Sequence, residues 1–223
     1  MLTRTQLVRG IYRQHAFWYD TIAAPMLGST YQLEAVSSLG LNPGDVVVDV
    51  ACGTGSNFTL IEQGIGDSGF LIGIDLSPEM LQQAHSRTVA HGWTNVSLIN
   101  ACAEEAQFRE KAGAFLFSFA HDVLQSTRAL VNLFQSAKQG ARVATCGIKL
   151  APWWNFPLNY IVNQIAWQYH TIHDGLSEPW KHLAHFTSNL EVKVRAFETI
   201  YVAYGIVEVD GGTEEQNSQK QST

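Results

Sequence analysis

The chain has 223 residues, a formal net charge of -6, 46% hydrophobic residues and 15% charged residues. This length and apolar content suit one globular domain and argue against global disorder. The few Lys and Arg residues form no basic run, so a nucleic-acid partner is not expected. Neither a signal segment nor a long apolar stretch is apparent, and the three cysteines are far apart. The sequence therefore predicts a cytoplasmic protein with reduced thiols and without a transmembrane segment.

The first part of the chain is rich in aromatic side chains. Residues 1–40 are predicted to form a helical lid that is interrupted at Pro25. The turn-forming residues Asn42 to Asp45 follow, and they introduce the β-branched run Val46–Val50. Such a run is typical of a strand that is buried on both faces of a parallel sheet.

From residue 46 to residue 148, strands alternate with helices. Helices are expected near Ser56–Gln63, from a cap at Ser77 to about His91, and across Asp122–Lys138. This alternation predicts an α/β, Rossmann-like and mostly parallel sheet with helices on both faces. The expected strands of this part are Val46–Val50, Phe70–Asp75, Val96–Asn100, Ala114–Phe119 and Ala141–Ile148.

The last third of the chain departs from that rhythm. Residues 151–190 are rich in Trp, Tyr and His, include an expected helix over about Pro157–Thr171, and are predicted to shape an acceptor pocket. Glu191–Phe197 and Thr199–Val207 predict an antiparallel pair at the C-terminal edge, which makes the sheet seven-stranded. Residues 1–208 would thus form one domain, and the polar residues 209–223 a disordered tail.

A glycine-rich corner follows the first strand. Gly53 and Gly55 lack Cβ atoms, so the backbone there can approach a ligand closely. Asp49 lies just before this corner, and Asp75 ends the second strand. Ligands of open α/β sheets bind beyond the carboxyl ends of the strands, and an acid in the place of Asp75 can accept hydrogen bonds from ribose hydroxyls. The corner therefore predicts a nucleoside site.

Two classes of nucleoside ligand fit this pattern, a dinucleotide and S-adenosylmethionine. Dinucleotide enzymes use G-x-G-x-x-G to seat a pyrophosphate, but Phe58 occupies the third glycine position here. Asp49 would also place negative charge near that pyrophosphate. A carboxylate suits a cationic ligand better, such as the ammonium of a methionine moiety.

The segments Asp49–Gly55 and Gly73–Met80 resemble the class I S-adenosylmethionine-dependent methyltransferases, nearest to the quinone-biosynthesis and phospholipid N-methyltransferase branches. The resemblance implies that S-adenosyl-L-methionine is the cofactor and that Asp49 fixes its ammonium. It further implies that Asp75 holds the ribose, and that a tyrosine such as Tyr19 closes over the cofactor. The complete set of cofactor-binding residues implied in this way is Tyr19, Asp49, Ala51, Gly53, Thr54, Gly55, Asn57, Asp75, Leu76, Met80, Ala101, Cys102, Ala103 and Phe119.

His121 follows the fourth strand, near the expected point of methyl transfer. It is the leading candidate for a catalytic general base, and a positioning or packing role is the alternative. The acceptor is expected to be a small or medium-sized, partly apolar or lipid-like molecule that presents an amine, a phenol or an activated carbon. The competing hypothesis is a protein that binds S-adenosylmethionine without transferring the methyl group, or an enzyme of the methyltransferase fold that catalyses another reaction. No metal site is predicted, because no cysteine lies near the paired histidines of residues 170–185. Homodimerisation stays open.

Overall fold

The computed structural model describes residues 29–156, 159–160, 162 and 175–208, and the fold is given for these residues. Tyr19, the rest of residues 1–28, the tail 209–223 and most of the expected helix Pro157–Thr171 lie outside them. The strands are β1 (Val46–Val50), β2 (Phe70–Asp75), β3 (Val96–Asn100), β4 (Ala112–Ser118), β5 (Ala137–Ile148), β6 (Thr187–Arg195) and β7 (Ile200–Val207). The helices are α1 (Ser29–Ser38), α2 (Phe58–Ile65), α3 (Pro78–His91), α4 (His121–Leu124) and α5 (Thr127–Phe134).

The seven strands form one sheet in the order β3-β2-β1-β4-β5-β7-β6. Strands β1 to β5 pair in parallel, whereas β7 is antiparallel to both β5 and β6. The predicted fold class is therefore confirmed. Within the C-terminal pair, β7 lies inside the sheet and β6 forms its edge.

Helices cover both faces of the sheet, as the continuous apolar strands require. Side chains alternate along each strand, so β1 sends Val48 and Val50 to one hydrophobic core and Val47 to the other. The first core includes buried residues of α4 and α5, and the second includes buried residues of α1, α2 and α3. The carboxyl ends of the parallel strands meet at one edge between these two layers.

The helix predicted over Asp122–Lys138 is interrupted. The first short helix ends at Leu124, and Ser126 caps the second, because its Oγ accepts a hydrogen bond of 3.2 Å from the backbone N–H of Ala129. The second helix stops at Phe134, since β5 begins at Ala137 rather than at Ala141. Strand β4 likewise runs over Ala112–Ser118 instead of Ala114–Phe119.

Three further boundaries differ from the prediction. Helix α2 begins at Phe58, two residues later than expected. Strand β6 begins at Thr187, so the last residues of the expected insertion 151–190 belong to the sheet. This strand also ends at Arg195, because Ala196, Phe197 and Glu198 take left-handed backbone angles that turn the chain into β7.

Among the described residues, no helix is both long and apolar enough to cross a bilayer. The longest of them, α3, has 14 residues. The three cysteines are unpaired, and Cys52 and Cys146 are buried.

Candidate functional site

The strands at the centre of the sheet end in sharp turns. Ala51 directly follows β1 and Phe119 directly follows β4, with φ angles of 55° and 54°. Residues with a Cβ rarely adopt these angles, and such strain concentrates at ligand sites. Strands β1 and β4 are neighbours, but the chain leaves β1 for β2 on one side and returns to β4 on the other. This is the switch point at which open α/β sheets bind ligands.

The glycine-rich corner is tied to the tip of β2. Gly53 takes a φ of 56°, and its N–H donates a hydrogen bond of 2.9 Å to Oδ2 of Asp75. Gly55 takes a φ of 75°, and a Cβ there would lie 2.8 Å from the ring of Phe58. Both positions therefore require glycine. The carbonyl of the buried Thr54 accepts a bond of 3.2 Å from Nε of Arg87, which fixes the corner to α3.

The carboxylate of Asp75 connects the glycine-rich corner to the N-terminus of α3 through two hydrogen bonds. While Oδ2 accepts from Gly53, Oδ1 accepts a hydrogen bond of 2.8 Å from the backbone N–H of Ser77. Burial raises the pKa of Asp75 above its usual value, and the backbone hydrogen bonds oppose that rise. Each carboxylate oxygen can accept more than one hydrogen bond, so both retain capacity for the hydroxyls of a ligand.

Asp49 lies in β1 and is fully buried. Its Oδ2 accepts a hydrogen bond of 3.3 Å from Nδ2 of Asn57, which is buried too. Oδ1 of Asp49 and Oδ1 of Asn57 are both buried without a hydrogen-bond partner among the described residues. Unsatisfied buried acceptors are costly, so this pair fits a ligand that brings N–H donors.

The charge at Asp49 is also unbalanced. Burial raises its pKa to about 7, the hydrogen bond from Asn57 lowers it, and the nearby charge of Asp75 raises it further. None of the ion pairs among the described residues involves Asp49 or Asp75. Two carboxylates without a counter-charge at one sheet edge suit a positively charged ligand.

The residues expected around an adenine follow the carboxyl ends of β2 and β3. Ser77 caps α3 by accepting from the N–H of Met80, and the side chain of Met80 is buried. Ala103 is buried in the loop after β3, and its carbonyl accepts a hydrogen bond of 3.0 Å from Nδ2 of Asn132 in α5. Leu76, Ala101 and Cys102 are partly exposed. Glu104 accepts a hydrogen bond of 2.6 Å from Ser126, which gives it a structural role.

His121 is the first residue of α4 and is 4% exposed. It lies just beyond the turn at Phe119, so it belongs to the tip of β4, beside the strand that carries Asp49. Cys52 is the other candidate nucleophile or base of the corner. Burial and the charges of Asp49 and Asp75 raise the pKa of its thiol well above the usual value, so this thiol does not ionise readily.

The structure links four of the expected site residues by hydrogen bonds, namely Asp49 with Asn57 and Asp75 with Gly53. The remaining described ones follow the tips of β1, β2, β3 and β4. Tyr19 lies outside the described residues. Among the described residues, no group of three or more His, Cys, Asp or Glu side chains could hold a metal ion.

Two supporting residues escaped the sequence analysis. Nδ2 of Asn100 donates to the carbonyls of Asp75 and Leu76 at 3.1 and 3.0 Å, and so it fixes the backbone at the end of β2. Asn100 ends β3 in register with Asp75, so the strand-tip argument that selected Asp75 could have found it. Arg87 carries no such signal, because it lies in the middle of a helix.

A family model described as a methyltransferase domain matches residues 47–140, the part of the chain that contains β1 to β4 and the strand tips just described. The chain therefore contains a segment that is similar to a methyltransferase domain. The cofactor of this family is S-adenosylmethionine, as the resemblance implied. The matched segment includes both Asp49 and Asp75.

The methyltransferase domain has relatives of modest identity. A demethylmenaquinone methyltransferase of Symbiobacterium thermophilum is 27% identical over 145 residues, which cover 62% of this chain and 58% of that protein. The chain spans only about half of the length of most of the curated relatives reported for it.

Solved structures share the fold of this chain. An S-adenosylmethionine-dependent methyltransferase of Aquifex aeolicus has a TM-score of 0.62 and 17% identity, with 87% of this chain and 98% of that one covered. The N-methyltransferase NodS of Bradyrhizobium japonicum WM9, in complex with S-adenosyl-L-homocysteine, has a TM-score of 0.67 and 11% identity, with 91% and 99% covered. At such identities the likeness shows the fold alone.

Proposed function

We propose that this chain binds S-adenosylmethionine at the strand tips and transfers its methyl group to a small or medium-sized, partly apolar acceptor. One observation carries the proposal: Oδ1 of Asp49 and Oδ1 of Asn57 are buried side-chain acceptors that lack a donor among the described residues. The ammonium of a methionine moiety supplies both the N–H donors and the positive charge that such a pair needs.

The other described residues fit the same ligand. Asp75 retains acceptor capacity for two ribose hydroxyls. The side chains of Leu76 and Met80 and the loop from Ala101 to Ala103 would contact the adenine. Ala51, Gly53, Thr54 and Gly55 would line the methionine with backbone, and Phe119 would separate it from the acceptor.

A dinucleotide fits less well. Its pyrophosphate needs a corner free of negative charge, whereas Asp49 contributes a carboxylate that has no counter-ion among the described residues. Phe58 also fills the space that the third glycine of a dinucleotide motif leaves open, since its ring lies directly against Gly55.

The acceptor class is suggested by the relatives. The demethylmenaquinone methyltransferase of Symbiobacterium thermophilum acts, by its name, on a quinone precursor. Together with the aromatic residues of segment 151–190, this supports a lipid-like ring with a phenol or an activated carbon. An amine-bearing acceptor is the second candidate. A cytoplasmic location, the lack of a nucleic-acid partner and the open question of homodimerisation stay predictions of the sequence.

When it is bound, S-adenosylmethionine supplies a methyl group on a sulfonium, which is already activated for in-line displacement. The work of the chain is then to align the acceptor, to exclude water and to handle one proton. His121, buried at the tip of β4, is our candidate for the base that removes a proton from a phenol or an acidic carbon. A neutral amine would need no such base.

Two measurements test the proposal in sequence. Titration calorimetry with S-adenosylmethionine and with NAD should give binding of the first ligand only. Transfer of a labelled methyl group should then be assayed on a demethylated naphthoquinone, an amine-bearing phospholipid and a metabolite extract. The Asp75→Ala variant serves as the control with weakened cofactor binding. Binding of NAD in place of S-adenosylmethionine would refute the cofactor assignment. Tight binding of S-adenosylmethionine without transfer to any acceptor would favour the competing hypothesis of a binding protein.

A further inference from the structure

Gln32 connects two parts of the candidate site that the chain itself separates. It lies in α1 and is 7% exposed. Its Nε2 donates hydrogen bonds to Oγ of Ser56 at 3.2 Å and to Oγ of Ser118 at 3.3 Å. Ser56 directly follows the glycine-rich corner, and Ser118 ends β4, just before the turn that leads to His121. The side chain therefore bridges the cofactor corner and the tip of β4.

The chemistry of the amide group makes this bridge specific. A glutamine Nε2 carries two hydrogens, and the two serine oxygens use both of them. Because each hydroxyl accepts from Gln32, its own hydrogen must face another acceptor. For Ser118, Sγ of Cys146 lies 3.6 Å from the hydroxyl oxygen. Gln32 thus sets both the separation of the two serines and the orientation of their hydroxyls.

Helix α1 is held in place by other contacts. Ala35 of the helix and Leu39, which directly follows it, are fully buried in the second core. Glu34 forms an ion pair of 2.8 Å with Arg195 at the end of β6. The packing of the helix therefore does not depend on the amide of Gln32, and loss of that amide should perturb the serines more than the helix.

We propose that Gln32 is a positioning residue of the methyltransferase site, which holds the glycine-rich corner and the tip of β4 at the separation that cofactor binding requires. This inference rests on the proposed function. In this role Gln32 acts through its hydrogen bonds to Ser56 and Ser118.

The test uses the Gln32→Met variant of the full chain, which preserves side-chain volume and removes both hydrogen bonds. Its dissociation constant for S-adenosylmethionine should rise about tenfold in calorimetry, because two hydrogen bonds that position the corner are lost. Ser56→Ala should have a smaller effect in the same direction. The double variant Gln32→Met with Ser56→Ala should be no weaker than Gln32→Met alone, since the two residues act as one unit.

Glu34→Gln is the matched control on the same helix. It removes the ion pair with Arg195, so it should lower the melting temperature slightly and leave the affinity for S-adenosylmethionine unchanged. A purely structural role of Gln32 would give the same result as this control.

The outcomes separate the two proposals. A wild-type chain that fails to bind S-adenosylmethionine would overturn the proposed function and this inference together. A wild-type chain that binds it, beside a Gln32→Met variant of equal affinity, would overturn this inference alone, as would fully additive effects in the double variant. If Gln32→Met does not fold, Ser56→Ala and Ser118→Ala decide the matter, and unchanged affinity in both would contradict the inference.

Discussion

Asp49 and Asn57 bring a polar pair into the most apolar part of the sheet. Neighbouring strand residues Val47, Val48 and Val50 are fully buried and apolar, so a carboxylate between them is costly unless it is paired. Among the described residues, Asp49 receives one hydrogen bond, from Asn57. This shortage of partners within the described part of the chain supports the proposal that Asp49 binds a ligand.

The pKa of Asp49 predicts how cofactor binding depends on pH. With a pKa of about 7, the free site is protonated below neutral pH, whereas an ammonium requires the ionised carboxylate. Binding must then release a proton, so the affinity for S-adenosylmethionine should fall up to about tenfold for each pH unit below roughly 7. Calorimetry between pH 5.5 and 7.5 measures this. The Asp49→Asn variant should bind more weakly and show a flatter profile, and an equally flat profile for the wild type would contradict the prediction.

Asp75 is expected to contribute directly to affinity. The Asp75→Ala variant loses the acceptor for the ribose hydroxyls and also the hydrogen bonds from Gly53 and Ser77. We expect its affinity for S-adenosylmethionine to fall roughly 10- to 100-fold, which corresponds to about 1–3 kcal/mol. Asp67→Ala, at an exposed aspartate between α2 and β2, is the control. Equal affinities in calorimetry for the two variants would remove the ribose assignment.

His121 should affect turnover without affecting cofactor binding. If it removes the acceptor's proton, His121→Ala should slow methyl transfer by roughly 10²- to 10⁴-fold and leave the affinity for S-adenosylmethionine within about twofold. The exposed His85 in α3 provides the matched control, His85→Ala. A His121→Ala variant with full activity on a phenolic acceptor would reject the base role.

At the scale of elements, the contact between α2 and β2 decides how closely the corner can pack. The ring of Phe58, the first residue of α2, lies against Gly73 of β2, where a Cβ would be 2.9 Å from Cζ of Phe58 and 3.0 Å from Sγ of Cys52. Gly73 of β2 is therefore the small residue that permits α2 to pack closely against the sheet. In a dinucleotide motif the third glycine, at the helix, supplies that space.

This contact predicts a strong difference between two glycines of the sheet. Gly73→Ala should lower the free energy of unfolding by about 1–3 kcal/mol, because the added methyl group overpacks a rigid contact. Gly113→Ala in β4 should be close to neutral, since a Cβ there would meet its nearest atom at 3.6 Å. Urea unfolding followed by circular dichroism compares them. Equal urea midpoints for the two variants would show that the ring of Phe58 can move away from the added methyl group.

The sequence predicted the first three strands more accurately than the later ones. The segments Val46–Val50, Phe70–Asp75 and Val96–Asn100 are confirmed to the residue. Strands β1 and β2 are mostly buried, so their sequences carry a continuous apolar signal. The break at Ser126 was missed, since a serine in an apolar periodic segment is ambiguous until its hydrogen bonds are known.

Within the site, the residues that lie near or just beyond the carboxyl end of a strand could be inferred from chain order alone. Asp49, Asp75 and His121 were selected in this way. Contacts that join distant parts of the chain could not, and Gln32 and Arg87 are examples. Their partners Ser56 and Thr54 belong to the corner, but nothing in the local sequence of α1 or α3 indicates that a side chain reaches there. Such pairings are determined by tertiary packing.

For the whole molecule, the buried charge of Asp49 links function to stability. Its pKa is raised in the folded state, so the folded chain holds a proton that the unfolded chain releases between about pH 4 and pH 7. The contribution of Asp49 to stability therefore decreases as the pH rises through this range and stays low above it.

Asp49→Asn should consequently raise the free energy of unfolding of the unliganded chain by roughly 4 kcal/mol at pH 8 and by only about 1–2 kcal/mol at pH 5. Thermal or urea unfolding at the two pH values tests this. The same variant should bind S-adenosylmethionine more weakly, as expected where a ligand group is retained at the expense of stability. A variant that is less stable at pH 8 would show that Asp49 supports the fold in its ionised form.

The order of the strands gives the sheet two parts that coincide with two parts of the chain. Strands β1 to β3, with the tips proposed to bind the nucleoside, all precede residue 101, whereas β4 to β7 and the aromatic residues of segment 151–190 all follow residue 111. Recombination within the short connection between β3 and β4 would therefore exchange one half of the sheet as a unit. Under the proposed function, we expect chimaeras of this kind to change the methyl acceptor and to retain most of the binding site for the methyl donor.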